Sequence, residues 1–234
     1  MSKRVFKFDT LPNGSAVWSL EGLIGAGKTT MIKSLLEDPL TVGTFDEVIQ
    51  ISEPLKAVTL KAYIKEMEKY ATMFQVITLV KRINLYERAR RLATDKGRRL
   101  ILIDRGLDGD QAFEFMQVKK GFIDAKGHEI YLEEIGYNDG SLEKWKNEPG
   151  FTTIYLRCSP ETAWRRTLAR NIKEEVEGYN LCYMQDLYDA HEATIDPNAI
   201  VIDWEIDQPV DDDDKLSGNT LFKLLERIET QQEK

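Results

Sequence analysis

Residues Gly22, Gly25 and Gly27 are interleaved with Leu23, Ile24 and Ala26 and run directly into Lys28, Thr29 and Thr30. Glycines at this spacing allow backbone conformations closed to other residues, so successive amides can turn inward on a phosphate. Lys28 is placed to reach the β- and γ-phosphates of a nucleoside triphosphate as a point charge, and Thr29 offers a hydroxyl to Mg²⁺. A helix opening near Lys28 adds its positive end. The chemistry implied is the holding of ATP with Mg²⁺ over the stretch from Gly22 to Thr30. A loop of this kind serves kinases, GTPase switches and ATPase motors alike, so other residues must decide among them.

Transfer of a phosphoryl group to an alcohol needs a carboxylate beside the attacking hydroxyl, positive charge on the moving group and a carboxylate for the metal. Glu53 follows an apolar stretch and precedes Pro54, at the edge where open parallel sheets place ligands. Asp104 and Arg105 stand at the same edge after another apolar run. Asp104 can serve Mg²⁺ with Thr29, and Arg105 can bridge Glu53 to phosphoryl oxygens; a structural ion pair is the alternative for these two. Arg165, Arg166, Arg170 and Lys173 cluster further on, as a solvated charged helix or as a lid that closes on phosphate.

These groups need a scaffold, and the chain supplies a repeating one. Strands are expected at Ala16–Leu20, Glu47–Ile51, Arg99–Ile103, Thr153–Leu156 and Ala199–Asp203, with helical patterns between them. Strands alternating with helices imply a parallel sheet covered on both faces. Residues 60–94 read as helical, with a break near Tyr70 and an apolar face of Phe74, Ile77, Val80 and Ile83. Two helical or irregular stretches follow, punctuated by Gly136 and Gly140, and Ser159-Pro160 opens another helix. Residues 1–14 form a leader, 206–215 an acidic loop and 216–234 an amphipathic C-terminal helix.

The 234 residues suit one α/β domain. With 42% hydrophobic and 31% charged residues the composition is that of a soluble globular protein. No apolar run approaches the roughly 20 residues that span a bilayer, and no signal-peptide core is present, which points to the cytosol and away from a membrane partner. A net charge of −8 argues against nucleic acid and for a small substrate. Cys158 and Cys182 are expected as free thiols.

Taken together, Glu21 through Thr30, Glu53-Pro54, Phe74-Gln75, Asp104-Arg105, Ile154 through Glu161, Arg170, Glu174-Glu175 and Leu187 through Glu192 resemble the deoxyribonucleoside kinases, over Ser19 to about Asp203. The resemblance implies a P-loop NTPase fold with a five-stranded parallel sheet and an arginine-bearing lid over about 166–178. It also implies ATP and Mg²⁺ as donor and cofactor, a deoxynucleoside as acceptor, and a homodimer. By the same resemblance Glu53 is the general base, and Lys28 and Arg105 neutralise the moving phosphoryl group. Arg166 and Arg170 are the lid arginines. Gln75, Arg82 and Asp110 contact the base, Phe74 and Phe113 line its pocket, and Tyr63 with Glu175 contacts the 3′-hydroxyl, with Tyr70 competing for the place of Tyr63. Core packing accounts equally well for Phe113.

This sequence departs from the family at three places: Asp104 stands for glutamate, Gly106 for serine, and Ile172 for a third lid arginine beside Lys173. The Arg82 and Asp110 positions favour deoxyadenosine, deoxycytidine or deoxyguanosine over thymidine. Two other readings stay open at this level, a monophosphate kinase of the thymidylate kinase type and a nucleotide-binding switch without transferase activity.

Overall fold

The computed structural model describes residues 6–52, 57–136, 144, 147–208, 210, 211, 213 and 215–232. Five strands build one sheet: β1 Ala16–Glu21, β2 Glu47–Ile51, β3 Arg99–Asp104, β4 Phe151–Arg157 and β5 Ile200–Asp203. Their order is β2-β3-β1-β4-β5 and every pairing is parallel. All six residues of β1 are buried, which is why this strand reads as a continuous run rather than an alternating one. β1 and β3 each carry one acidic residue more than the apolar pattern marks, because parallel pairing of Leu20 with Asp104 and of Glu21 with Tyr155 extends the ladders into the site. β4 is longer than expected at both ends, and β5 starts at Ile200 rather than Ala199.

Helices α1 Lys28–Glu37, α2 Pro39–Thr44, α3 Ala57–Lys65, α4 Met67–Thr94, α5 Leu107–Lys119 and α6 Ala125–Glu134 precede β4. After it come α7 Pro160–Arg170, α8 Lys173–Gly178, α9 Leu181–Thr194 and α10 Gly218–Gln232. Alternate side chains of β1 feed two cores. Trp18 and Leu20 pack with Met31, Ile32 and Leu35 of α1 and Leu224, Leu225 and Ile228 of α10. Val17 packs on the opposite face with Leu79, Leu85 and Tyr86 of α4 and Tyr131 of α6. Full burial of a large apolar side chain contributes about 1.5–3 kcal/mol, so a sheet covered on both sides is the stable arrangement for these strands.

The structure corrects several expectations. The helix break falls at Glu66, where φ is −141° and ψ is 64°, not near Tyr70. On α4, Phe74 is buried and Ile83 packs against the core as expected, but Val80 is 43% exposed while Gln75, Thr78 and Arg82 are buried; the inner face mixes polar groups with apolar ones, so apolar spacing misplaces Val80. α5 and α6 both precede Gly136, and the turn between them ends at Asp124, whose side chain caps α6 by accepting from the Gly127 amide at 2.7 Å. Gly140 lies outside the described residues, as do Glu53 and Pro54. The leader is more than a lead-in: Phe6 is buried, and Phe8 meets Trp18 edge-on at 5.0 Å. The Lys7 amide donates to Glu229 at 2.6 Å. Within 206–215, Val210 bridges Leu216 in antiparallel fashion, and the last helix begins at Gly218 rather than Leu216.

Candidate active site

The carboxyl ends of β1 and β3 meet beside the phosphate loop. Gly22, Gly25 and Gly27 have φ of 138°, 81° and 94°, the region that favours glycine. At Gly25 a Cβ would stand 2.4 Å from the Ala163 carbonyl, so α7 closes against the loop. Lys28 is buried and donates from Nζ to the carbonyls of Gly22 at 3.1 Å and Leu23 at 2.9 Å. Thr29 donates from Oγ1 to Asp104 Oδ2 at 3.2 Å, which brings together the hydroxyl and carboxylate expected for the metal. This is a donor pair that hard Mg²⁺ takes alongside waters and phosphate oxygens.

Arg105 follows Asp104 in a left-handed conformation, φ 64°, uncommon for a residue with a Cβ. Its amide is held by the Leu20 carbonyl at 3.1 Å, and its guanidinium lies over the Phe113 ring, 4.8 Å from the centroid. Phe113 thus faces the site as well as the core.

Beneath these groups Glu21 is fully buried, accepting from Ser19 Oγ at 2.8 Å and the Gly106 amide at 2.6 Å. Burial first, then the charge of Asp108, pushes its carboxyl up to about 6. A Cβ at Gly106 would lie 2.3 Å from both Ser19 Oγ and the Tyr86 hydroxyl. The missing serine therefore leaves no gap, because Tyr86 already brings a hydroxyl to that spot.

A cavity of about 540 Å³, its open mouth included, lies between α3, α4, α5 and α8. Tyr63, Phe74, Gln75, Arg82, Arg105, Asp110, Phe113 and Glu175 all line it. Tyr63 stacks on Phe74 at 4.2 Å, and burial pushes its hydroxyl up to about 12. Tyr70 is not among the lining residues; of these two tyrosines, Tyr63 is the one that the fold brings here. At the closed end Arg82 Nε donates to Asp110 Oδ1 at 2.8 Å, and Gln75 Nε2 to Asp110 Oδ2 at 2.9 Å. Tyr131 donates to the same Oδ2 at 3.0 Å. Burial pushes the Asp110 carboxyl up, against the lowering effect of Arg82.

The arginines of α7 take partners within the protein. Arg166 donates to Asp207 Oδ1 at 2.8 Å and to the Trp204 carbonyl at 2.9 Å, beside Gly27 and Thr30. Arg165 forms a two-bond pair with Asp207, and Arg170 pairs with Glu175. Ile172 precedes α8 with 39% of its surface exposed, and Lys173 sits 3.9 Å from Glu177.

Several site residues escaped the sequence reading. Ile24, Leu60, Thr78 and Tyr179 line the cavity, and Tyr131 and Gln117 stand behind it. Only Gln117 carried a usable signal: it lies seven residues after Asp110, two helical turns on.

A glycine-rich loop at the central strand of a parallel sheet, with an acid and an arginine at the next strand end, defines a P-loop NTPase-type phosphotransferase. A family model described as deoxynucleoside kinase matches residues 18–228, and the chain belongs to that family of kinases. A protein of Invertebrate iridescent virus 3, described as a kinase, is 27% identical over 219 residues, spanning 91% of this chain and 97% of the relative. A deoxyadenosine kinase of Dictyostelium discoideum is 27% identical over 173 residues, 74% of this chain and 64% of the relative. Deoxyadenosine kinase from M. mycoides with bound dATP shares the fold at TM-score 0.64 and 24% identity, covering 82% of this chain and 92% of that one. The same enzyme with dCMP and dCDP aligns at 0.62 and 22%, covering 90% and 96%. No helix among the described residues is long and apolar enough to cross a membrane.

Proposed function

We infer that this kinase transfers the γ-phosphate of ATP to the 5′-hydroxyl of a deoxynucleoside, preferring deoxyadenosine, deoxycytidine or deoxyguanosine to thymidine. The observation that carries this reading is the buried Arg82–Asp110–Gln75 cluster at the closed end of the cavity. A neutral base with an exocyclic amino group suits such a mixture of donors and acceptors, and nothing in that cluster calls for a second phosphate.

In this reading the triphosphate lies on Gly22 to Thr30, where Thr29 and Asp104 would hold Mg²⁺, which would supply positive charge against the phosphates. Glu53 follows β2 and is assigned the proton of the 5′-hydroxyl. Lys28 and Arg105 offset charge on the phosphoryl oxygens, with Arg166 and Arg170 joining from a lid over about 166–178. Positioning and charge stabilisation are what phosphoryl transfer chiefly requires. Tyr63 and Glu175 hold the sugar, and Phe74 and Phe113 flank the base. We place all of this in one kinase domain, in a cytosolic homodimer. Met73 and Val80, exposed on α4, support pairing through that helix.

The test is ADP formation from MgATP with each deoxynucleoside and each deoxynucleoside monophosphate in turn. Turnover with the nucleosides supports the reading. Turnover confined to monophosphates would make this a monophosphate kinase, and ADP release indifferent to acceptor would favour a switch.

A further inference from the structure

Helix α5 grips Gln75 from two sides. Asp110 and Gln117 lie two turns apart on one face of α5, and the Gln75 amide fits between them. Gln75 Nε2 donates to the Asp110 carbonyl at 3.0 Å and to its carboxylate at 2.9 Å. Its Oε1 accepts from Gln117 Nε2 at 2.8 Å. Gln117 is fully buried and does not line the cavity, and the phosphoryl-transfer reading gives it no task.

The direction of this chain of bonds is fixed by its neighbours. Gln117 Oε1 has no hydrogen-bond partner among the described residues, an unfavourable state for a buried acceptor. Turning the Gln117 amide over would set Oε1 against Oε1 of Gln75. Turning both amides would set Gln75 Oε1 against the Asp110 oxygens, whose carboxylate already accepts from Arg82 and Tyr131. The polarity therefore runs one way. Asp110 engages the Gln75 nitrogen, Gln117 engages the Gln75 oxygen, and what Gln75 retains for the cavity is the second lone pair on Oε1.

We propose that Gln117 is a positioning residue for base selection, holding Gln75 so that an incoming base meets an acceptor oxygen. A base with an exocyclic amino group satisfies that oxygen; a base with a carbonyl at the same place opposes it, which narrows the acceptor reading to deoxyadenosine and deoxycytidine ahead of deoxyguanosine. The proposal rests on the nucleoside-acceptor reading above and assigns the selection to a residue that never touches the base.

The experiment compares kcat/KM for deoxyadenosine and deoxyinosine, which differ by amino against carbonyl at position 6, in the wild type, Gln117→Met and Gln117→Glu. The ratio is taken within one preparation, so partial loss of folded enzyme cancels. The wild-type ratio is expected well above one. Gln117→Met lowers it about tenfold, the effect of one hydrogen bond to a substrate contact, through the nucleoside KM with the ATP KM unchanged. Gln117→Glu lowers it further, because a carboxylate there only accepts and draws the Gln75 nitrogen away from Asp110. Ratios within about twofold of wild type in the variants overturn the proposal; should the glutamate variant not fold, the methionine variant decides alone. A wild-type ratio near one, or no nucleoside turnover, also overturns it, and that failure of the acceptor reading shows before any variant is made.

Discussion

Arg82 donates from Nη1 to the carbonyl of Arg105 at 2.6 Å. One side chain of α4 thus braces both the base end of the cavity, through Asp110, and the left-handed residue facing the phosphate loop. Residues in that conformation persist only where their surroundings over-determine them, at about 1–3 kcal/mol each. The Arg82 bond is part of what holds Arg105 there.

Arg82→Met should therefore act at both ends. Removing one partner of a buried pair leaves an uncompensated charge and costs about 3–5 kcal/mol, to be read as a lower urea midpoint. Nucleoside KM should rise and kcat should fall together. Adding Asp110→Asn should cost less than the two single changes combined, since the pair acts as a unit. Strict additivity would show that the two residues are not coupled.

Gly106→Ser restores the residue usual in the family, yet it should destabilise this protein. The added Cβ meets Ser19 Oγ and the Tyr86 hydroxyl at 2.3 Å, and overpacking of this kind costs about 1–3 kcal/mol. In a Tyr86→Phe background the penalty should shrink. An equal penalty in both backgrounds would mean that Tyr86 does not fill the serine's place.

Glu21 gives a pH signature. Its carboxyl is raised from an ordinary 4.5 to about 6 by burial and by Asp108, so the folded state binds this proton more readily than the unfolded one. Its contribution to stability is then most favourable below pH 4.5 and declines as pH rises through about 6, by about 2 kcal/mol. Urea unfolding of Glu21→Gln across this range should lack that decline, when compared with the wild type under identical conditions. Parallel pH profiles would remove Glu21 as the source.

Thr29→Ala and Asp104→Asn should each raise the Mg²⁺ concentration for half-maximal ADP formation by about 10–100-fold. Nucleoside affinity measured without ATP should stay level. A weakened nucleoside affinity with unaltered Mg²⁺ dependence would move both residues out of the metal role.

The parallel sheet and the phosphate loop were legible because each depends on local pattern: apolar runs of strand length, and glycines at fixed offsets from Lys28. The meeting of Arg82 and Asp110 at one base followed from the resemblance, and the fold brings the two into direct contact. The inner face of α4 was only partly legible in its apolar pattern: that pattern found Phe74, but Gln75, Thr78 and Arg82 interrupt it and it pointed also to the exposed Val80. Gly106 misled differently: reading a lost hydroxyl required knowing that Tyr86, twenty residues away in sequence, reaches the same point. Phe6 and Phe8 show no period, so their place against Trp18 and Phe45 emerges only from the three-dimensional packing.

Arg165 and Arg166 share one carboxylate, that of Asp207, and Arg170 takes Glu175, so three guanidinium groups on one helix meet two counter-ions from the protein itself. The protein supplies its own counter-ions, which lets an acidic chain keep three guanidinium groups close together. Engagement of those groups by a polyanion is then an exchange of one carboxylate for another anion. Its affinity should accordingly fall less steeply with added salt than three bare cations would dictate, because the competitor to be displaced is tethered to the fold and does not grow more concentrated as the buffer does.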